Sequence, residues 1–253
     1  LFERGGRIPE RRVEFFRACL DALLGSWIEE RLDGSGGRLL SQEESLDMLA
    51  PVAWALHVGQ RRYDLSQREL RQLLALPIQR LQSEGRRKPI VTFNVVRDWF
   101  TRTAGVLTEY APGEYGFIHL SLQEYLAAVH AADADHNEAA LDQLVRRFGD
   151  KWWREVTLLF VSLRHYSGFE HLMRGVLATP RLERKGSHIG ECLRAAHEPE
   201  VTPFLELIRD RRQPLARRTV ALRWLRDHYD EKLIDAAAEF ALDPTPETDE
   251  LRR

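Results

Sequence analysis

Apolar positions along this chain recur mostly at three- and four-residue spacing, and extended character is confined to one short stretch. Val13, Phe16, Leu20, Leu23, Leu24 and Trp27 fall on one face of a helix predicted over 9–31, with Pro9 in its first turn. Gly34-Ser35-Gly36-Gly37 then breaks the pattern and marks a boundary. Ser41 and Glu44 have the spacing of a capping box and open a second helix through about His57. That helix is expected to turn Leu46, Leu49, Ala50 and Ala53 inward, and Pro51 within it implies a kink or an early first turn. Ser66 and Glu69 repeat the device for a helix that buries Leu70, Leu73, Leu74, Ile78 and Leu81 and bends at Pro77. After a loop at Gly85-Arg86-Arg87-Lys88-Pro89, the pattern predicts a helix over 91–103 with Val95, Val96, Trp99 and Phe100 apolar.

Two extended runs follow, 105–110 and 114–119, around Ala111-Pro112-Gly113, which is a hairpin signal. Three helices and then a small hairpin is the winged-helix arrangement. The second run leads directly into a helix whose buried stripe is Leu122, Tyr125, Leu126 and Val129, with Ser121 and Glu124 spaced to cap its start. Beyond Asn137 only helices are predicted, at 138–148, 151–165, 168–179, 187–197, 201–211, 214–228 and 231–242. Their short connections predict stacked helix pairs of HEAT type, although no repeat is legible in the residues themselves. The tail from Asp243 reads as a frayed end or linker. The expected fold is mainly α: a winged-helix domain with a small β-hairpin, then an α-helical HEAT-like superstructure.

Composition changes this picture little. The 253 residues are 43% apolar and 30% charged, ordinary for a globular chain, and a formal net charge of −2 gives no overall pull toward nucleic acid or anionic membrane. No apolar run approaches the roughly 20 residues of a membrane span, and no stretch reads as a signal peptide, so secretion is not expected. Cys19 and Cys192 lie far apart in apolar helical patterns and read as reduced core residues of a cytoplasmic protein. The chain begins in mid-pattern at Leu1 without methionine, which suggests a piece of a longer protein.

Candidate chemistry is sparse. His119 stands at a strand-to-helix junction, where a helix start offers N–H groups and partial positive charge to an anion. Arg86, Arg87 and Lys88 precede the 91–103 helix, and with Arg97 and Arg102 they invite a nucleic-acid reading, against which Asp98 and Glu109 dilute the charge. The stretch Arg209 to Arg218, with Arg211, Arg212 and Arg217, is a second basic patch open to an acidic partner, another protomer or nucleic acid, although arginine stems covering an exposed helix face are the preferred reading. Trp152 and Trp153 are expected to divide between core and partial exposure. Asp133, Asp135 and His136 lack a second ligand group at useful spacing for a metal. No H-E-x-x-H, G-x-S-x-G or G-x-x-x-x-G-K-[ST] occurs, so this chain alone has no apparatus for hydrolysing ATP.

The pattern Phe117-x-His119-x-Ser121-x-Gln123-Glu124-Tyr125-Leu126-Ala127-Ala128 resembles the end of the winged-helix domain in NACHT proteins of the STAND class. These signal-transduction ATPases include animal NLR immune receptors and bacterial antiphage sensors. Pro9-Glu10-Arg11-Arg12-Val13-Glu14-Phe15-Phe16, running on through Cys19-Leu20-Asp21-Ala22-Leu23-Leu24, is similar to the helix that closes the small helical domain after the nucleotide-binding core. The resemblance covers about half the chain and is silent over 34–104. It implies a division into 1–36, the tail of the small helical domain; 37–136, the winged helix; and 137–253, a helical arm.

The resemblance further implies that His119 contacts the terminal phosphate of bound ADP and holds the protein closed. ADP or ATP with magnesium would sit in the upstream NTPase core of the same polypeptide, which would carry the ATPase activity. A protein trigger, self-oligomerisation on activation and a role in innate immune or antiphage defence follow from the same likeness. On the residues alone two other readings stay open: a helical protein-interaction scaffold with no nucleotide role, and winged-helix nucleic-acid binding.

Overall fold

The computed structural model describes residues 9, 11–26, 39–59, 63–83, 91–133, 138–163, 168–180, 186–197 and 199–225. The predicted boundary at 34–37, the loop at 85–89, the helix at 231–242 and the tail from Asp243 lie outside them. The chain divides into two units, Leu1–Ala131 and Ala132–Arg253.

In the first unit, local chemistry sets the helix starts. The Ser41 hydroxyl accepts the Glu44 N–H at 3.1 Å, and the Glu44 carboxylate accepts the Ser41 N–H at 2.5 Å, so α2 (Gln42–Val58) begins at a complete capping box. Ser66 and Glu69 do the same for α3 (Gln67–Ser83), with the Ser66 N–H 2.8 Å from Glu69 Oε2. Pro51 and Pro77 lie inside these seventeen-residue helices, and each helix runs on past its proline. Each proline removes one backbone bond, while the buried faces on both sides of it hold the helix together.

Helix α1 (Arg12–Asp21) starts at an Arg11 N-cap, which leaves Pro9 two residues outside the helix and not in its first turn. The helix continues as a π turn over Ala22–Ser26. The wider turn shifts the side-chain phase, so Leu24 is fully buried and Leu23 only half-buried. Trp27 lies outside the described residues. Likewise α4 (Phe93–Asp98) passes into a π turn at Trp99–Thr103; Val96, Trp99 and Phe100 are buried but Val95 is exposed. Leu46, Leu73 and Leu81, expected inside, are half-buried.

Strands β2 (Leu107–Ala111) and β3 (Glu114–Phe117) form the expected hairpin. A third strand was not legible in the sequence: β1 (Leu65–Ser66) pairs antiparallel with β3, giving the sheet order β1-β3-β2. The element order α2-β1-α3-α4-β2-β3 is a complete winged helix. Glu109 pairs with Tyr115 and Ala111 with Glu114, so Tyr110 is an extra residue on its strand, a β-bulge. Helix α5 (Leu120–Ala132) follows β3 and is buried on most of its circumference, from Leu122 and Gln123 to Ala131. Its Tyr125 ring meets Phe16 of α1 at 6.0 Å between centroids. The core gathers Leu20, Leu49, Leu70, Val96, Phe100 and Leu126, each burial contributing about 1.5–3 kcal/mol.

The second unit holds α6 (Glu138–Arg147), α7 (Arg154–Ser162), α8 (Gly168–Ala178), α9 (Gly186–Ala195), α10 (Thr202–Arg209) and α11 (Leu215–Leu225). Helices two apart in sequence pack together, α6 with α8 and α8 with α10, α7 with α9 and α9 with α11. The described part of the second unit is all helix outside its turns, as the spacing predicted, and α10 also packs against α11. Gly175 lets α6 and α8 close up: a Cβ there would stand 2.6 Å from Val145 Cγ2. The helix expected from 151 starts at Arg154, because residues 151–153 form a turn.

Candidate functional site

The strand β3 delivers His119 to the surface. Ile118 prolongs the ladder by one bond, its N–H 3.0 Å from the Val106 carbonyl, and the chain then turns into α5. The His119 carbonyl accepts the Leu122 N–H at 3.1 Å and the Gln123 N–H at 3.4 Å, which makes His119 the residue that caps the helix. Its side chain completes the cap: Nδ1 accepts the Ser121 N–H at 3.2 Å. The capping pair expected at Ser121 and Glu124 is therefore displaced by two residues, since Ser121 already lies in the first turn.

This cap has a chemical consequence. An Nδ1 that accepts a backbone N–H leaves Nε2 as the protonated nitrogen of the neutral ring, so the exposed imidazole is set as a hydrogen-bond donor. No acidic side chain occupies the first turn of α5, and the partial positive charge of the helix start is not offset there. Behind the ring, Leu122, Gln123, Tyr125 and Leu126 are buried, and burial pushes the Tyr125 phenol above its ordinary range. His119 is thus an exposed donor on a rigid mount. Val129, expected in the buried stripe, is half-buried.

The wing beside it is locked by two devices. The bulge swings Tyr110 across β3, where its hydroxyl donates to the Phe117 carbonyl at 2.6 Å. That crossing requires glycine at 116, because a Cβ there would lie 2.8 Å from Tyr110 Cε2 and 2.1 Å from the Tyr63 carbonyl oxygen. On the other face, the Tyr115 phenol meets both Arg97 of α4 and Glu109 of β2.

Arg97 also holds Asp98 through Nε and Nη2 at 3.0 and 2.8 Å. A guanidinium so engaged is poorly placed to meet a phosphate backbone, which weakens the nucleic-acid reading of α4, although Arg102 is exposed. Arg86, Arg87 and Lys88 lie outside the described residues.

The basic stretch of the second unit divides by role. Arg211 and Arg212 are exposed in the turn between α10 and α11, and Arg212 holds Asp210 at 3.0 Å, keeping that carboxyl below its usual range. Arg217 instead donates to the carbonyls of Leu177 and Thr179, closing the end of α8. Arg218 is buried, with Nε 2.7 Å from the Ile208 carbonyl at the end of α10. These two arginines therefore satisfy helix ends, a role that charge counting does not reveal.

The remaining candidates sit in ordinary surroundings. Cys192 is buried and Cys19 half-buried, both thiols free and pushed up by burial. Trp153 is buried and Trp152 half-buried, in the turn before α7 and not on a helix. Asp133 is exposed; Asp135 and His136 lie outside the described residues, and among those described no three metal-binding side chains gather. A cleft of about 200 Å³ between α2, β1 and α3 is lined by Ala55, Leu56, Leu65 and Leu73 with Glu69 and Gln72. No described helix is long and apolar enough to cross a membrane.

Residues 12–131, just under half the chain, match the family described as a winged helix-turn-helix domain C-terminal to NACHT. No curated protein and no solved structure matches the chain.

Proposed function

With residues 12–131 a winged helix-turn-helix domain of the NACHT-associated family, we propose that this chain is the regulatory part of a NACHT signal-transduction ATPase. In this reading the winged helix closes over ADP held by the NACHT domain, and His119 donates Nε2–H to a terminal phosphate oxygen. The helical arm conveys a trigger, and opening permits nucleotide exchange and self-association, in defence against infection. The NACHT domain supplies the phosphate loop, the magnesium ligands and the hydrolytic chemistry. This chain contributes one contact, and the donor tautomer at an exposed helix start fits an anionic oxygen.

One observation carries the reading: the cap that fixes His119 also commits its outer nitrogen to donation. Such a contact regulates because it exists only in the closed arrangement, and a ligand shifts an equilibrium by its differential affinity. A hydrogen bond to a charged group is worth about 1.5–3 kcal/mol, enough to move a closed-to-open ratio roughly ten- to a hundred-fold.

The test uses protein that includes the NACHT domain. His119→Asn retains a side-chain cap for α5 but loses the Nε2 donor, and His119→Ala loses both. Both variants should release ADP roughly ten- to a hundred-fold faster than wild type and signal without trigger. ADP held as tightly as in wild type by a silent His119→Asn protein would overturn the assignment.

A further inference from the structure

We propose that the joint between α7 and α9 is an acid-operated latch, in which proton uptake by His188 loosens the helical array. His188 lies in the first turn of α9, buried to 6% exposure, with its ring 4.5 Å from that of Phe148. Nδ1 stands 3.2 Å from Glu191 Oε2. A carboxylate only accepts, so Nδ1 carries the proton of the neutral ring and Nε2 presents a lone pair. Among the described residues Nε2 is buried with no hydrogen-bond partner. Protonation would turn that lone pair into a charged N–H with no acceptor among the described residues, in contact with a phenyl ring. A buried donor left unsatisfied is among the more costly defects a packed joint can carry.

The charges around the ring decide the sign. On its own helix Glu191 favours the imidazolium, but that carboxylate is already committed to Arg154 of α7, whose Nε and Nη2 each lie 2.9 Å from one of its oxygens. Arg154 itself opposes a second cation, while Glu155 of α7 weakly favours one. Phe148, after α6, brings no charge. The Cys192 thiol of α9 is kept neutral by burial. On α11, Arg217 and Arg218 are turned to the carbonyls of Leu177, Thr179 and Ile208. Burial prevails, and His188 is held below its ordinary value of 6.5.

A joint that opens exposes this ring to water and lets it bind a proton that the closed form resists. The closed joint is therefore at full strength above about pH 6.5 and weakens as pH falls toward the closed-state value, by about tenfold in the opening equilibrium per pH unit.

Hydrogen exchange on the 253-residue chain, corrected for intrinsic rates, reads this directly at pH 7.5, 6.5 and 5.5. In wild type, protection across 154–162 and 186–195 should change little from pH 7.5 to 6.5 and then fall about tenfold per unit. His188→Asn, which can still donate to Glu191 but does not titrate, should give a flat profile. A flat wild-type profile, or the same slope in both proteins, overturns the proposal. Proton NMR of the His188 ring in wild type tests it without any variant: a midpoint below 6.5 accompanied by lost dispersion in α9 supports the latch, and a midpoint at or above 6.5 sinks it.

Discussion

Gly116→Ala tests whether the wing is held by the crossing of Tyr110 over β3. The added methyl would sit 2.1 Å from the Tyr63 carbonyl oxygen and 2.8 Å from Tyr110 Cε2. Carbon atoms pack at about 3.5–4.0 Å, so the backbone at Tyr63 must retreat by more than about 1 Å or β3 must tilt. Overpacking of this kind costs about 1–3 kcal/mol. Moving the ring also breaks the 2.6 Å bond from the Tyr110 hydroxyl to the Phe117 carbonyl, adding about 1 kcal/mol.

The expected destabilisation of the first unit is therefore about 2–4 kcal/mol, read as a lower urea midpoint. Faster hydrogen exchange should appear at 63–66 and at the Ser121 amide that His119 holds. Tyr110→Ala supplies the internal check. Removing the ring relieves part of the clash made by Gly116→Ala, so the double variant should cost less than the two single changes added together. A Gly116→Ala protein within about 0.5 kcal/mol of wild type, with unchanged exchange at Ser121, would show that the crossing does not position the wing.

Three further outcomes follow from single contacts. Ser41→Ala should lower stability by about 1 kcal/mol in urea unfolding, because it removes the acceptor of the Glu44 N–H. Arg218→Met should cost about 1–3 kcal/mol by stripping the Ile208 carbonyl of its buried donor, whereas Arg212→Met, at an exposed position, should leave the midpoint unchanged. Salt should separate two kinds of contact: the Arg174 bridge from Glu170 to Glu206 is exposed and should weaken as ionic strength rises, while the Arg218 cap is buried and should not.

What the sequence determined by itself lies within a few residues of itself. The capping boxes at Ser41 and Ser66, the helix periods of the second unit and the turn at Pro112-Gly113 are interactions across three or four positions, and any chain carrying them is pushed the same way. The family pattern around His119 was legible for the same reason, being one contiguous run.

Tertiary structure decided the rest. A two-residue strand has no period of its own, so β1 exists only because β3 offers it a ladder. Leu23 and Val95 share the apolar spacing of Leu24 and Phe100, yet only the latter two are buried, because the packing of the folded unit selects which apolar positions face its core. Ser121 and Glu124 had the right spacing for a cap, yet β3 places His119 one step ahead of the helix, and its ring takes the amide first. Arg217 reaches carbonyls nearly forty residues away, and the buried His188 depends on Phe148 at a similar remove. Local spacing fixes which bonds a residue can make, and the path of the chain through space chooses which of them it does make.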